Sequence, residues 1–417
     1  VEFVIPFSSL NFPDTKNQQL TLMLSRKLYN KGTEARYMNY AKIDGAGCII
    51  CQSNEFYSVG NIVKKNKKRL IPSLTANSIR ERNQDGDMIE EPVDSEVSLG
   101  GEYEFNGNNF EFTFNPDFSQ VEADQSKIDI NSTTALRFEE RRIFFNEGKD
   151  FLSSDLGTVY TRSINDPEYA LKLYNRGEKH SYYFLDAEDT ATPIIVPGYQ
   201  RSYSGLLGNS HANIFSYNYN IEKGQNIGFL ATNRDFEEGG KSSLFSLKGN
   251  FLFNDIYRTQ FELISTHMDE PISDVIDTTN TSKEHTYNLD GESFSGYGGA
   301  FGLSRETKKW ETRYYFATKS PNYRSDLGFT TENNWKKHSI NHKYKYRSNG
   351  IIRTGNIEVR KDWMLDYDGN VLDQETVIST RAELENQLNI NFSCDNSHRA
   401  SYEGYTFKDI KDYNFGI

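Results

Sequence analysis

The chain has 417 residues with 47 Lys+Arg against 59 Asp+Glu, so its net charge is −12 and it has no basic domain able to neutralise phosphates. Nucleic acid is therefore excluded as a partner. Apolar residues make up 36% and aromatics 14%, with 28 Phe and 26 Tyr, a weighting that favours strands. Mean hydropathy is −0.72, and no uncharged apolar run nears the ~20 residues of a spanning helix, which leaves strands as the only way to cross a membrane.

In chain order, Val1 to Phe7 and Leu20 to Leu24 read as two short buried strands around a Phe12-Pro13-Asp14 turn, the end of a small β-sandwich over residues 1–29. No charged n-region or apolar h-region opens the chain, and Tyr413 to Ile417 reads as an interrupted strand, so a piece of a longer protein is expected. Residues 30–69 read as a connector. It carries Cys48-Ile49-Ile50-Cys51, a spacing that no second cysteine pair or histidine set completes, which leaves a local disulfide or incidental thiols. It ends in Lys64-Lys65-Asn66-Lys67-Lys68-Arg69, read as a solvated linker or a contact to anionic headgroups.

From Leu70 onward the pattern is strand alternation punctuated by turns. Glu102 to Phe114 is a hairpin, with Tyr103 and Phe105 before Asn106-Gly107 and Phe110, Phe112 and Phe114 after it. Phe215 to Ile221 turns at Lys223-Gly224 into Ile227 to Ala231. Tyr257 to Leu263, Trp310 to Phe316, Ile340 to Tyr346 and Ala382 to Phe392 follow, each with polar residues between the apolar ones. These runs approach the ~9–11 residues of a tilted membrane strand, against ~5–6 in most globular strands. Short turns alternate with the long polar stretches Asp186 to Pro197 and Asp269 to Glu284, as in outer-membrane barrels. A solvated sheet gives the same alternation, so a soluble β-sandwich or propeller is the competing reading.

Between the hairpin and the later strands, acidic and basic residues crowd together, and the network expected of them is Asp117, Glu122, Asp124, Arg137, Glu139, Glu140, Arg141, Arg142, Glu147 and Asp150. Their carboxylates offer hard ligands for a metal, or pairs for glycoside hydrolysis. Interleaved arginines favour ion pairs that brace a folded-in segment, and they hold a carboxyl's pKa down rather than raising it for acid catalysis. No catalytic or metal residue and no cofactor is assigned. Asp366-Tyr367-Asp368-Gly369-Asn370 imitates a calcium loop without its distal Glu, and reads as a hairpin turn. The glycine-rich Gly296 to Gly302 reads as a strand kinked to curve a wall.

The motifs Asn115-Pro116-Asp117-Phe118-Ser119-Gln120-Val121-Glu122-Ala123-Asp124 and Arg137-Phe138-Glu139-Glu140-Arg141-Arg142, with Phe144-Phe145 and Glu147-Gly148 beyond, resemble a family of outer-membrane β-barrels of unassigned function in Gram-negative bacteria. In that family the barrel follows a domain similar to family 9 carbohydrate-binding modules, whose end Ile5-Pro6-Phe7-Ser8-Ser9-Leu10 resembles. Val159 to Ile164 and Tyr323 to Phe329 are similar to later strand motifs of the family. The resemblance implies an all-β, antiparallel transmembrane β-barrel over 70–417, incomplete in this chain, with a lumenal charged segment near 115–155. It implies a bacterial outer-membrane location, with outer-membrane lipid, oligosaccharide or other outer-membrane proteins as partners. The function expected is non-enzymatic, in transport or envelope assembly. The alternative is a glycan-binding or glycan-processing envelope protein, with aromatics such as Tyr182-Tyr183-Phe184 in external loops stacking on sugars.

Overall fold

The structure is a computed structural model that describes Val4 and residues 17–30, 33–38, 56–60, 68–78, 80–82, 88–90, 93–116, 133–221, 225–282, 285–386, 388–402 and 405–417. Cys48, Cys51, Lys64 to Lys67, Asp117, Glu122, Asp124 and the Lys223-Gly224 turn lie outside the described residues. Asn17–Thr21 pairs with Phe56–Gly60, and Ser25–Asn30 with Thr33–Met38, both antiparallel.

One antiparallel sheet of sixteen strands dominates the described residues. Its strands are β1 (Lys68–Asn77), β2 (Asp94–Phe105), β3 (Asn108–Phe114), β4 (Pro167–Arg176), β5 (His180–Asp189), β6 (Ser210–Asn220), β7 (Asn226–Phe236) and β8 (Lys241–Phe253). Then come β9 (Tyr257–Asp269), β10 (Ser293–Glu306), β11 (Trp310–Lys319), β12 (Trp335–Arg347), β13 (Ile352–Leu365), β14 (Val371–Leu384), β15 (Asn389–Tyr402) and β16 (Tyr405–Gly416). Each strand pairs with its predecessor and successor, an uninterrupted meander whose outer strands are β1 and β16. Lys68 and Arg69, read as the end of a linker, begin β1 instead; Arg69 reaches Glu102 at 2.9 Å across the ladder.

The two ends of the sheet differ. At one end the connections are short, from Asn106-Gly107 to residues 385–388. In the first, Asn106 at φ 47° and Gly107 at φ 78° form the primed turn that the sequence predicts. The last splits Ala382 to Phe392, one strand by its alternation, into β14 and β15: Leu384 N donates to Leu388 O, and the Asn386 amide oxygen accepts from Leu388 N. An Asn side chain supplies that turn where no glycine or proline marks it. At the other end lie the long connections 115–166, 190–209, 270–292 and 320–334.

The stretch Asp186 to Pro197, expected as a polar loop, finishes β5 and starts a second hairpin, Thr192–Pro197 against Ser202–Leu207. Ile194, Val196 and Leu207 of that hairpin pack with Phe236, Met268, Ile276, Tyr287 and Leu289. The loop end thus has a hydrophobic core of its own. Residues 366–370 are the expected hairpin turn, with Asp366 Oδ1 accepting from Asp368 N and Asn370 N.

Strand alternation divides the sheet into two faces. Along β4 to β9 one face buries Ala170, Tyr183, Leu185, Ala212, Ile214, Leu230, Leu244 and Ile264. The opposite face leaves large apolar side chains exposed all along the sheet, among them Phe245, Leu263, Phe301, Ile340, Ile357, Ile378 and Phe392. Tyr182, Tyr183 and Phe184 are part of β5, not of a loop. Tyr183 is wholly buried on the inner face and Phe184 stands on the outer one.

Candidate functional site

Residues 133–166 leave the loop end, run across the inner face of β4 to β9, and return. The descent is recorded by its partners: Lys172, midway along β4, donates from Nζ to Phe144 O and to Glu147 O, and Arg176 at the far end of β4 holds Asp150 at 2.6 Å. The return is tied by Ser216 Oγ to Phe151 O, Lys248 Nζ to Ser153 O, and Arg234 Nη2 to Ser163 O, each at 2.9 Å. Asp189 closes it by accepting from Asn165 N and Asp166 N. Buried Phe145, Phe151, Leu152, Leu156 and Ile164 join the inner-face side chains in one core.

Regular structure in the segment is limited to a one-turn helix at Ile143–Asn146 and 3₁₀ turns at Lys149–Leu152 and Thr161–Ser163. Most of its backbone polar groups must therefore find partners on the sheet, which is why the inner face carries Lys, Arg and Ser among its apolar residues. Val159 to Ile164 and Tyr323 to Phe329, similar to strand motifs in sequence, form no strands. They meet as loops, Tyr160 N donating to Leu327 O and Phe329 N to Gly157 O. Tyr323 and Leu327 are buried with the segment. Two of the four glycines of β10 serve that contact: a Cβ on Gly296 would lie 2.3 Å from the Asn322 carbonyl, and one on Gly298 2.8 Å from the Tyr323 ring. Close approach explains these glycines, where curvature was expected.

Of the ten charged residues read from sequence, Glu140 and Arg142 come together. Arg142 binds both carboxylate oxygens, Nη2 to Oε2 at 2.7 Å and Nε to Oε1 at 2.9 Å. It also donates to the carbonyls of Ile164 and Thr161, and its guanidinium lies 4.2 Å from the Phe145 ring centre. Thr161 Oγ1 donates to Glu140 Oε2. Burial alone would raise the Glu140 pKa, but the bonds and charge of Arg142 outweigh it and hold the carboxyl below its ordinary value. Asp150 is likewise held low by Arg176. Arg137 lies over the rings of Tyr160 and Phe329, and Glu139 offers its carbonyl to Arg162. Arg141 and Glu147 are half-buried.

The strand-borne half of the arrangement is absent from the sequence reading. Glu262 on β9 is the clearest case: it accepts from Ser154 Oγ, Asp155 N and Ser246 Oγ at 2.8–3.0 Å, gathering the return of the segment onto the sheet. Lys172, Arg234 and Asp189 are equally buried. The available signal is a charged residue at an inner-face position among small and aliphatic ones, as Lys172 stands between Ala170 and Tyr174.

Beyond β11 the inner face is different. Lys343–Glu358 at 2.8 Å, Lys345–Glu306 at 2.7 Å and Arg360–Glu375 form a ladder of half-exposed ion pairs. At the loop end, a cavity of about 820 Å³ is bounded among the described residues by Phe138, Tyr160, Arg162, Ile195, Leu206 and Phe329.

No family model matches the chain and no curated protein matches it. Among solved structures, the crystal structure of Acinetobacter baumannii OccAB1 aligns with a TM-score of 0.36 and 10% identity, covering 84% of this chain and 94% of that one. A likeness that slight does not fix a fold.

Proposed function

We propose that the chain forms an outer-membrane β-barrel whose interior is narrowed by residues 133–166, and that it passes polar solutes through the half of the interior lined by β12 to β15. The observation that carries this reading is the two-faced sheet. The outer face exposes apolar side chains from β1, where Leu74 is 73% exposed, to β16, where Phe415 is 68% exposed, while the inner face carries buried polar contacts and ion pairs. In water such an apolar surface is far larger than a monomer tolerates; against lipid it is what a spanning strand requires.

Three further features agree with it. Apart from the seven-residue β3 the strands are 10–14 residues long, enough to cross a bilayer at a tilt. Tyr217, Tyr219, Phe253, Tyr257, Trp310 and Tyr344 stand on the outer face near the short-turn end, where an interfacial girdle would lie. Short turns at one end and folded long connections at the other match the periplasmic and external sides of such barrels. Closing the free edges of β1 and β16 is what the hydrocarbon would demand, since unpaired backbone groups there cost several kcal/mol each.

The test is conductance of detergent-purified protein in planar bilayers. Stepwise currents that grow when the segment is loosened by Arg142→Ala support a narrowed channel. Protein that stays soluble without detergent overturns the membrane reading, and insertion with no current in either form overturns the solute path.

A further inference from the structure

The connection between β9 and β10 brings three carboxylates together at the loop end. Glu270 is the first residue past β9 and Glu292 the last before β10, and Glu270 N donates to Glu292 O at 2.9 Å. Asp290 faces Ile272 in the two-residue ladder just beyond. One oxygen from each of Glu270, Asp290 and Glu292 lies within 4.8 Å of the others. Two oxygens on one calcium ion, at 2.3–2.6 Å each, are at most about 5 Å apart.

A second observation concerns Glu270 itself. Its side chain is 1% exposed, and Oε1 accepts from Arg324 Nη1 at 2.7 Å. Oε2 is buried with no hydrogen-bond partner. Arg324 is shared with Asp326, which Nε contacts at 2.9 Å. Arg324 thus divides one guanidinium between the Glu270 and Asp326 carboxylates, while exposed Asp290 and partly exposed Glu292 bring two further carboxylates beside the buried Glu270. Thr286 and His285 orient the outer pair, Thr286 Oγ1 donating to Asp290 Oδ2 at 2.8 Å and His285 Nδ1 lying 3.0 Å from Glu292 Oε2.

We infer that Glu270, Asp290 and Glu292 bind a divalent cation of the calcium class, with Glu270 Oε2 as the buried ligand. All three donors are hard carboxylate oxygens, which suit Ca²⁺ or Mg²⁺ rather than a thiolate- or imidazole-seeking metal, and an irregular loop suits the flexible coordination of Ca²⁺ better than the strict octahedron of Mg²⁺. The ion would fasten residues 270–292 to the ends of β9 and β10 and, through Arg324, to the 320–334 connection. This inference does not depend on conduction by the barrel. A proton is the rival occupant of Oε2: burial raises the Glu270 pKa, Arg324 opposes it, and Asp290, Glu292 and Asp326 carry it up to about 7.

The full chain in lipid-free detergent, stripped with chelator, is titrated with CaCl₂ and separately with MgCl₂ by calorimetry at pH 8, and melted with and without calcium. Saturable one-site calcium binding in about the 10⁻⁴–10⁻³ M range of extracellular modules is expected, with a calcium-dependent rise in melting temperature. Asp290→Asn, at an exposed position, should weaken binding about tenfold or more, and Glu270→Gln should abolish it. Absence of saturable binding by either ion overturns the inference, as does binding that both variants leave unchanged. A Glu270→Gln protein that melts as high as calcium-loaded wild type and ignores calcium assigns Oε2 to a proton and overturns it equally.

Discussion

The inner faces of β4 to β9 and of β12 to β15 are built from the same alternation and end in different states. On the first, Lys172 and Arg234 are fully buried, and Ala170, Tyr183, Ile214 and Leu230 share one core with Phe145, Phe151 and Ile164 of residues 133–166. On the second, Lys343, Glu358 and Arg360 remain a quarter or more exposed, Lys343 pairing with Glu358 and Arg360 with Glu375 across the ladder. What differs is the cover. A polar side chain opposite a folded segment becomes a bond to that segment's backbone, whereas the same type facing open space becomes one member of a screened pair. Stability should therefore concentrate in the covered half and, in the proposed channel, solute selectivity in the open half.

The largest effects should follow removal of what holds the cover down. Phe145→Ala empties a fully buried site in the core of the segment and should cost about 3–5 kcal/mol. Arg142→Ala should cost a similar ~3–5 kcal/mol, because it leaves the Glu140 carboxylate buried without its cation. Both are read from thermal unfolding in detergent, and a loss below about 1 kcal/mol in either would mean that the segment is not fixed to the sheet. Next comes Glu262→Ala, which strands the Ser154, Asp155 and Ser246 donors; hydrogen bonds to a charged group are worth about 1.5–3 kcal/mol. In the proposed channel the same variant should widen the path, since it frees residues 153–156 from β9.

Strands and short turns were legible because alternation and the Asn106-Gly107 pair act within a few residues. Of the charged network expected in that segment, the Glu140–Arg142 pair is what the structure brings together among the described residues, and its two members stand two positions apart in sequence. The segment's partners were not legible. Glu262 lies 108 positions from Ser154, and only the register of the sheet brings it opposite that residue. Tyr323 to Phe329 is expected as strand only through its similarity to a family motif, yet burial beside Gly298 fixes it as a loop. Asn386 ended a strand through a side-chain bond that apolar periodicity does not record.

Acid should loosen the covered half first. The Glu140 carboxyl titrates below its ordinary value of 4.5 in the folded chain, so its contribution to stability is fully present above that value. It is lost as pH falls through the lower folded value. Melting temperature of wild type should accordingly hold from neutrality to about pH 5 with respect to this group and fall below pH 4.5. Glu140→Gln should start lower and lose part of that acid limb. An unchanged limb in the variant would assign the acid sensitivity to other carboxylates, Asp150 foremost.

The smallest stability effect, and the one that separates the two halves most sharply, is expected from Lys343→Ala. Its 2.8 Å bond to Glu358 joins two side chains that are each about a quarter exposed, 25% and 26%. Pairs of this kind are worth at most about 1 kcal/mol, because water screens the attraction and holding two long side chains together costs entropy. Glu358 keeps the Asn341 amide as a donor after the change, so no carboxylate is left bare. The open face nevertheless loses a cation and keeps its carboxylates. The reversal potential under a salt gradient should move toward cation preference while the melting point stays within a degree or two of wild type. A large drop in melting temperature with unmoved selectivity would reverse the assignment, making the ladder of β12 to β15 part of the packed structure and leaving no region of the inner face for solute.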